Sequence, residues 1–175
     1  MKQILITGGA GFVGSHLCNA FISLGYDVFT VDDLSNGDES NINNAVHFEK
    51  LDLSTEQIFS KFKDIEFESV IHCAAQSSNA LSFIDIKKDI ESNIHSTYNV
   101  LKLCKIREIN RLIYTSSLSV YGQAMQLPTP ESCIPNPKSY YAINKLAAEQ
   151  YIQLFSSYTD INYTIFRLFT TYGEG

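Results

Sequence analysis

Short apolar runs alternate with segments of helical periodicity along the chain. The apolar runs, of the kind that a parallel sheet buries, predict six strands at 3–6, 27–31, 46–51, 69–74, 111–116 and 162–169. Apolar residues at helical spacing predict helices at 12–24, 54–62, 92–106 and 139–158, and a shorter helical piece near Ser82. Ser54 and Gln57 have the spacing of a capping box for the second of these helices. The alternation predicts an α/β fold, a doubly wound parallel sheet with right-handed crossovers.

A glycine-rich turn from Thr7 to Gly14 separates the first predicted strand from the first helix. Gly8 permits a tight turn, Gly11 lets the backbone approach a pyrophosphate, and Gly14 lets helix and strand pack closely. The N-terminus of the helix offers free N–H groups and the positive end of its dipole to phosphates. The turn therefore predicts a dinucleotide-binding site of the Rossmann type rather than a chance cluster of glycines.

Asp32, at the end of the second predicted strand, is the acidic partner that such a site uses. A carboxylate in this position accepts hydrogen bonds from the adenosine ribose and repels a 2′-phosphate. No Arg or Lys lies between Asp32 and His47 to bind that phosphate. The pattern therefore predicts NAD rather than NADP. Asp33 is either a second cofactor residue or a solvated loop residue.

Tyr141 and Lys145 lie four residues apart at the start of the helix that follows a proline-rich loop, which places them on one helical face. A free phenol has a pKa of about 10 and is a poor base at neutral pH. A nearby ammonium and a positive nicotinamide ring favour the phenolate, so Tyr141 is a candidate acid/base for hydride transfer. Tyr140 is the rival, but the residue four positions after it is the uncharged Asn144.

A run of hydroxyl residues, T-S-S-L-S-V-Y-G at 115–122, closes the fifth predicted strand. Ligands bind at the carboxyl ends of strands in such sheets, and a hydroxyl there can share a proton with Tyr141. The alternative is a polar turn that only ends the strand.

Together these motifs resemble the extended short-chain dehydrogenases/reductases, and among them the NAD-dependent nucleotide-sugar epimerases and dehydratases. The resemblance runs from residue 2 to the last residue. It rests on T-G-G-A-G-F-V-G at 7–14, D-D-L-S-N-G at 32–37, L-D-L at 51–53, H-C-A-A at 72–75, Asn93, T-S-S-L-S-V-Y-G at 115–122, Y-A-I-N-K at 141–145 and R-L-F-T-T-Y-G at 167–173.

The resemblance implies a role for each motif residue. Ser117 is the catalytic hydroxyl, Tyr141 the acid/base, and Lys145 holds the nicotinamide ribose and lowers the pKa of the tyrosine. Asp52 is alternatively a turn residue at the end of a strand, and His72 and Cys73 are expected in the core. The implied contacts with the pyrophosphate are Gly8, Gly11 and Gly14, with the N–H groups of Phe12 and Val13. Asp32 and Asn36 are implied near the adenosine ribose, and Asp52 and Leu53 beside the adenine. Ala74 and Ala75 are implied along the path to the nicotinamide, with Asn93 supporting that path.

The residues after the fifth strand distinguish between reactions of the family. Dehydratases have T-D-E there, where an acidic pair protonates a leaving hydroxyl, whereas this chain has Ser117 and Leu118. The resemblance therefore implies a 4-epimerase, which oxidises C4 of a UDP-hexose to a transient 4-keto sugar and returns the hydride to the other face. Thr170 replaces the Asn of galactose-type epimerases and is more like UDP-glucuronate 4-epimerases, so UDP-hexose and UDP-hexuronate both remain possible substrates.

Composition narrows the choice of partner and compartment. The net charge of −6 argues against nucleic acid or an anionic membrane as partner. The four cysteines contain no C-x-x-C pair, so no metal or redox motif is predicted, and they are expected to be buried free thiols. With no membrane span and no signal-peptide core in the sequence, the protein is expected to be cytoplasmic.

The length of 175 residues fits one NAD-binding domain over 1–175. Members of the family continue into a smaller C-terminal domain that grips the nucleotide-sugar, and that domain is missing here. The chain is expected to be part of such an epimerase, with a non-catalytic NAD-binding module, or a nucleotide-sugar reductase or dehydratase, as alternatives. By resemblance, the helices near 92–106 and 140–157 are candidates for a homodimer interface, and otherwise cover the sheet.

Overall fold

A single sheet of six parallel strands organises the protein in the computed structural model, which describes residues 2–123 and 126–174. Every neighbouring pair of strands is parallel. The order across the sheet is β3-β2-β1-β4-β5-β6, as in doubly wound dinucleotide-binding folds, which confirms the predicted fold class. The strands are β1 (Gln3–Thr7), β2 (Asp27–Asp32), β3 (His47–Lys50), β4 (Phe67–His72), β5 (Arg111–Ser117) and β6 (Asn162–Leu168).

Helices form the connections between the strands. A π-helical turn over Glu91–His95 joins two of them into one continuous helical segment, and a 3-10 turn over Leu118–Tyr121 follows β5. π-helical turns often occur at functional sites, and this one carries the buried Asn93. The helices are α1 (Phe12–Ser23), α2 (Gln57–Lys61), α3 (Asn79–Ile84), α4 (Ile86–Ile90), α5 (Ser96–Ile106) and α6 (Tyr140–Ser157).

Alternating residues of the strands feed two separate apolar cores, one on each face of the sheet. Ile4 and Ile6 of β1 pack with Cys18 of α1 on one face. Leu5, between them, packs on the other face with residues of α2, α5 and α6 such as Ile152. Because successive side chains of a strand point to opposite faces, both faces must be covered, and the near-continuous apolar runs follow from this.

Two predicted boundaries were wrong. Ser54 does not cap α2, since the helix begins at Gln57 and the backbone N–H of Ser54 donates to Asp52 Oδ1 instead. The fourth strand runs over Phe67–His72 rather than 69–74, because Cys73 has already left the sheet. Among the residues described, no helix is both long enough and apolar enough to cross a bilayer.

Candidate cofactor and catalytic site

A cavity of about 710 Å³ opens at the carboxyl edge of the sheet, where the chain leaves β1 on one side and β4 on the other. This is the position at which strand order reverses and at which ligands bind in open α/β sheets. Of the predicted site residues, all but Asn93 line it: Gly8, Gly11, Phe12, Val13, Gly14, Asp32, Asp33, Asn36, Asp52, Leu53, Ala74, Ala75, Ser117, Tyr141 and Lys145.

Gly8, Gly11 and Gly14 serve different purposes in the turn. Gly8 has a φ of +74°, and a Cβ there would lie 2.7 Å from the backbone nitrogen of Ala74. A Cβ on Gly14 would lie only 2.0 Å from the carbonyl oxygen of Gly8. At Gly11 the nearest such atom is the carbonyl oxygen of Gly8 at 3.3 Å, a tight contact that a shift of a few tenths of an ångström relieves. Among the described residues no side chain caps α1, which leaves the N–H groups of its first turn available to a phosphate.

Asp32 has a second role that its position in the sequence does not reveal. Its Oδ2 accepts a hydrogen bond from Ala10 N at 3.0 Å, and its Oδ1 accepts one from Leu34 N at 2.9 Å. The carboxylate therefore stabilises the glycine turn and also lines the cavity. Burial raises its pKa, although both N–H groups act in the opposite direction.

Asp33 and Asp52 each accept a hydrogen bond within a turn beside the cavity, and their predicted contact with the cofactor stays a prediction. Asp33 Oδ1 accepts from Ser35 N at 2.8 Å, and Asp52 Oδ1 accepts from Ser54 N at 2.8 Å. Both residues also line the cavity. Each is thus a turn residue whose turn forms part of the cavity wall.

The hydroxyl groups of Ser117 and Tyr141 are brought together by the ends of β5 and α6. Ser139 caps α6, because its Oγ accepts from Ala142 N at 3.1 Å, and this fixes the first turn on which Tyr141 lies. Ser117 Oγ accepts hydrogen bonds from Ser119 N at 3.2 Å and from Ser119 Oγ at 2.9 Å. With its oxygen so occupied, the Ser117 hydroxyl is left to donate its own proton towards the cavity.

The electrostatics of the tyrosine differ from the prediction. Burial raises the pKa of Tyr141, and the group that lowers it is the Ser117 hydroxyl rather than Lys145. The expectation that Lys145 lowers this pKa is therefore wrong for the protein atoms alone. Lys145 is itself 2% exposed, and burial lowers its pKa to about 8. Its Nζ lies 4.5 Å from the centre of the Tyr114 ring, a cation–π contact.

Three further residues lie where the motifs alone did not place them. Asn93 is buried and does not line the cavity; its Nδ2 donates to the carbonyl oxygens of Gln76 and Asp89. Cys73 packs against the core, as expected, and also lines the cavity; burial raises its pKa to about 12, which keeps it a thiol. Tyr140 is 39% exposed and packs against Phe83, so Tyr141 is the tyrosine of the site.

Sequence reasoning missed Ser92 and Ser96, which line the cavity wall from the π-helical turn and α5. Phe169 and Thr170, which belong to the motif at 167–173, line it directly after β6. Residues that follow a parallel strand lie at the same edge as the other strand ends. Among the described residues, no cluster of three or more His, Cys, Asp or Glu is able to hold a metal ion.

The strand order, the glycine turn and the Ser–Tyr–Lys group at the far end of the cavity define a Rossmann domain of the dehydrogenase type. The NAD dependent epimerase/dehydratase family matches residues 4–175, and the chain belongs to this family. The predicted family is confirmed, and so is NAD as the predicted cofactor, since dependence on NAD is a property of the family.

Solved structures and sequence relatives agree with this assignment. A UDP-glucose 4-epimerase from Thermotoga maritima with UDP-glucose superposes with a TM-score of 0.91 at 35% identity, over 94% of this chain and 54% of that one. A Thermus thermophilus UDP-glucose 4-epimerase in complex with NAD gives 0.90 at 30%, over 94% and 54%. A Mycolicibacterium smegmatis UDP-glucose 4-epimerase is 31% identical over 91% of this chain and 53% of its own length. The chain thus spans about half the length of these relatives.

Proposed function

We propose that this chain is the NAD-binding and catalytic part of a nucleotide-sugar 4-epimerase. One observation carries the proposal: a single cavity joins the glycine turn and Asp32 at one end to Ser117, Tyr141 and Lys145 at the other. A dinucleotide held by the first group places its nicotinamide near the second, where a hydroxyl of the substrate meets a tyrosine and a serine.

The side chains present fit one proton-transfer scheme. Bound NAD takes up the hydride from C4 of the sugar and gives it back. Tyr141 Oη accepts the proton of the C4 hydroxyl as the C4–O bond becomes a carbonyl, and returns that proton when the alcohol is restored. The Ser117 hydroxyl donates a hydrogen bond to Tyr141 Oη, which lowers the pKa of Tyr141. Lys145, on the same face of α6 as Tyr141, holds the nicotinamide ribose.

The side chains also favour epimerisation over dehydration. Eliminating water requires an acid that protonates the leaving hydroxyl, and residues 117–119 are Ser, Leu and Ser. Leu118 has no proton to donate, and the Ser119 hydroxyl donates to Ser117. The substrate is a UDP-hexose, as in the named relatives, or a UDP-hexuronate, which Thr170 at the cavity wall favours.

Conversion of UDP-galactose and of UDP-galacturonate, each measured with and without Tyr141→Phe, tests the proposal. The variant keeps the ring but loses the proton acceptor, so conversion should fall by roughly 100-fold or more while NAD affinity stays within a few-fold. Tyr140→Phe is the matched control, because it removes an exposed phenol one residue away and should leave the rate unchanged.

Three outcomes separate the alternatives. Conversion that survives Tyr141→Phe removes this residue from the mechanism. Tight NAD binding with no conversion of either sugar supports a non-catalytic module. Net consumption of NADH, or release of a 4-keto-6-deoxy sugar, identifies a reductase or a dehydratase.

A further inference from the structure

Asp89 is a buried carboxylate for which the proposed reaction has no use. It lies on α4 and is 0% exposed. Its Oδ1 accepts a hydrogen bond from Gln76 Nε2 at 2.7 Å, and its Oδ2 accepts one from Asn144 Nδ2 at 2.6 Å. Asn93 Nδ2 adds a longer contact to Oδ1 at 3.3 Å. Each of these partners is an amide donor, so the cluster is satisfied by the ionised carboxylate.

The two short hydrogen bonds reach opposite walls of the cavity. Gln76 belongs to the segment after β4 that contains the cavity residues Ala74 and Ala75, and its amide also bonds Ser78 through Nε2. Asn144 directly precedes Lys145 on α6. The Asp89 carboxylate therefore links the cavity wall expected beside the nicotinamide to α6, the helix that carries the acid/base Tyr141.

The charge of Asp89 is directed at the same group of residues. The other buried carboxylate near the site, Glu149, is paired with Arg167, whose Nη2 lies 2.7 Å from Glu149 Oε2, and it also raises the pKa of Lys145. Within residues 2–123 and 126–174, Asp89 has no cation at ion-pair distance. Its negative charge raises the pKa of Tyr141, and it raises the pKa of Lys145 after the larger effects of Cys73 and Glu149.

We propose that Asp89 is a positioning residue of the catalytic site, which fixes Asn144 and Gln76 to one another and is one of the countercharges of the buried Lys145 ammonium. The chemical role of Lys145 rests on the proposed function. The link that Asp89 makes between Asn144 and Gln76, called the clamp below, does not rest on it, and neither does the countercharge. Removing the charge of Asp89 should lower the pKa of Lys145 further, because burial already disfavours the ammonium.

The test follows the protonation of Lys145 in the full chain by ¹³C NMR of labelled lysine, with the signal assigned by its loss in Lys145→Arg. Asp89→Asn keeps the size of the side chain and removes the charge, and the amide of Asn144 can turn to complete the contact. The titration of Lys145, with a pKa of about 8 in the wild type, should move to lower pH by roughly one unit. Groups that face Lys145 and must be followed alongside it are Tyr141 and Glu149 on α6, His72 and Cys73 at the end of β4, Tyr114 on β5 and Asp89 itself.

Two further variants keep the test decisive. Glu91→Gln removes a carboxylate from the adjoining π-helical turn and should leave the titration of Lys145 in place. The exchange Asp89→Asn with Asn144→Asp restores a carboxylate–amide pair between α4 and α6, so it should fold and return the pKa of Lys145 to about 8 or above. If Asp89→Asn fails to fold, the pKa of Lys145 in the exchange variant alone tests the countercharge.

An unchanged Lys145 titration in folded Asp89→Asn, or a lowered one in the folded exchange variant, overturns the countercharge. NAD affinity measured by calorimetry tests the clamp: Asp89→Asn should bind NAD several-fold more weakly, Glu91→Gln should bind it normally, and equal affinities overturn the clamp. None of these readouts needs a sugar substrate, so failure of the proposed epimerase activity leaves them unaffected.

Discussion

Individual side chains beneath the cavity are arranged by chains of hydrogen bonds, and His72 is the centre of one. Thr7 Oγ1 accepts from the backbone N–H groups of Cys73 and Ala74, so its own proton must go to His72 Nδ1, 2.7 Å away. The other ring nitrogen then donates to Thr97 Oγ1 at 3.2 Å, and Thr97 donates to the carbonyl of Asn93. The arrangement requires a neutral imidazole, since a proton on Nδ1 would face a donor.

This neutral histidine predicts a loss of stability in mild acid. Burial lowers the pKa of His72 from its ordinary value of 6.5 to about 3. Between these values the unfolded chain binds a proton that the native chain does not, so the free energy of unfolding falls as the pH falls below 6.5. From pH 7 to pH 5 the contribution of His72 is a loss of about 2 kcal/mol.

Urea unfolding of the wild type and of His72→Gln at the two pH values measures this effect. The variant is expected to be less stable at both, but its loss between pH 7 and pH 5 should be about 2 kcal/mol smaller. His95→Gln, which removes an exposed imidazole, should reproduce the wild-type pH dependence. Identical pH dependences for wild type and His72→Gln would show that the histidine is not held neutral.

At the scale of elements, α1 and the turn before it are the end of the cavity at which we expect the phosphates to bind. Gly14 is needed by the fold, because its Cβ would overlap the carbonyl of Gly8. Gly11 has φ −82° and ψ 168°, which any residue adopts, and a Cβ there would lie 3.3 Å from the carbonyl oxygen of Gly8, a tight contact that a shift of a few tenths of an ångström relieves. The cost of a methyl group to the fold is therefore larger at Gly14 than at Gly11.

Gly11→Ala and Gly14→Ala are expected to fail in different ways. Gly11→Ala should change the free energy of unfolding by less than about 1 kcal/mol and weaken NAD binding about tenfold or more, because the methyl group occupies the approach of the pyrophosphate. Gly14→Ala should lose about 1–3 kcal/mol of stability through backbone overlap. Calorimetric NAD titration and urea unfolding of both variants check this. Normal NAD affinity in Gly11→Ala would place the pyrophosphate elsewhere.

Local patterns were sufficient for most of the elements and for most of the residues that line the cavity, but not for the hydrogen bonds that hold those residues. The glycine turn, Asp32 and the Tyr141–Lys145 pair are each defined by a few neighbouring positions in a strand or helix. The bond from Ala10 to Asp32 spans 22 residues and the bond from Asn144 to Asp89 spans 55, so both depend on packing that no local pattern encodes. The raised pKa of Tyr141 was missed for the same reason, since burial is a property of the folded chain.

At the scale of the whole molecule, the strand order brings the ends of distant segments to one edge. β1 lies between β2 and β4, and β5 and β6 continue the sheet beyond β4. The glycine turn after β1, Asp32 at the end of β2, Ser117 at the end of β5 and Phe169 after β6 therefore share one cavity. The fold thus provides one cavity that spans from the glycine turn to Ser117 and Tyr141.

The fate of deuterium at C4 of the sugar tests most directly whether this site carries out 4-epimerisation. UDP-galactose carrying deuterium at C4 is incubated with the chain and NAD in ordinary water, and the product is examined by mass spectrometry and NMR. If the hydride leaves C4 and returns to it within the site, the product is UDP-glucose that retains the deuterium at C4, which is the result we expect. Loss of the deuterium to solvent, its appearance at another carbon, or absence of any conversion by a chain that binds NAD would contradict the proposed epimerisation.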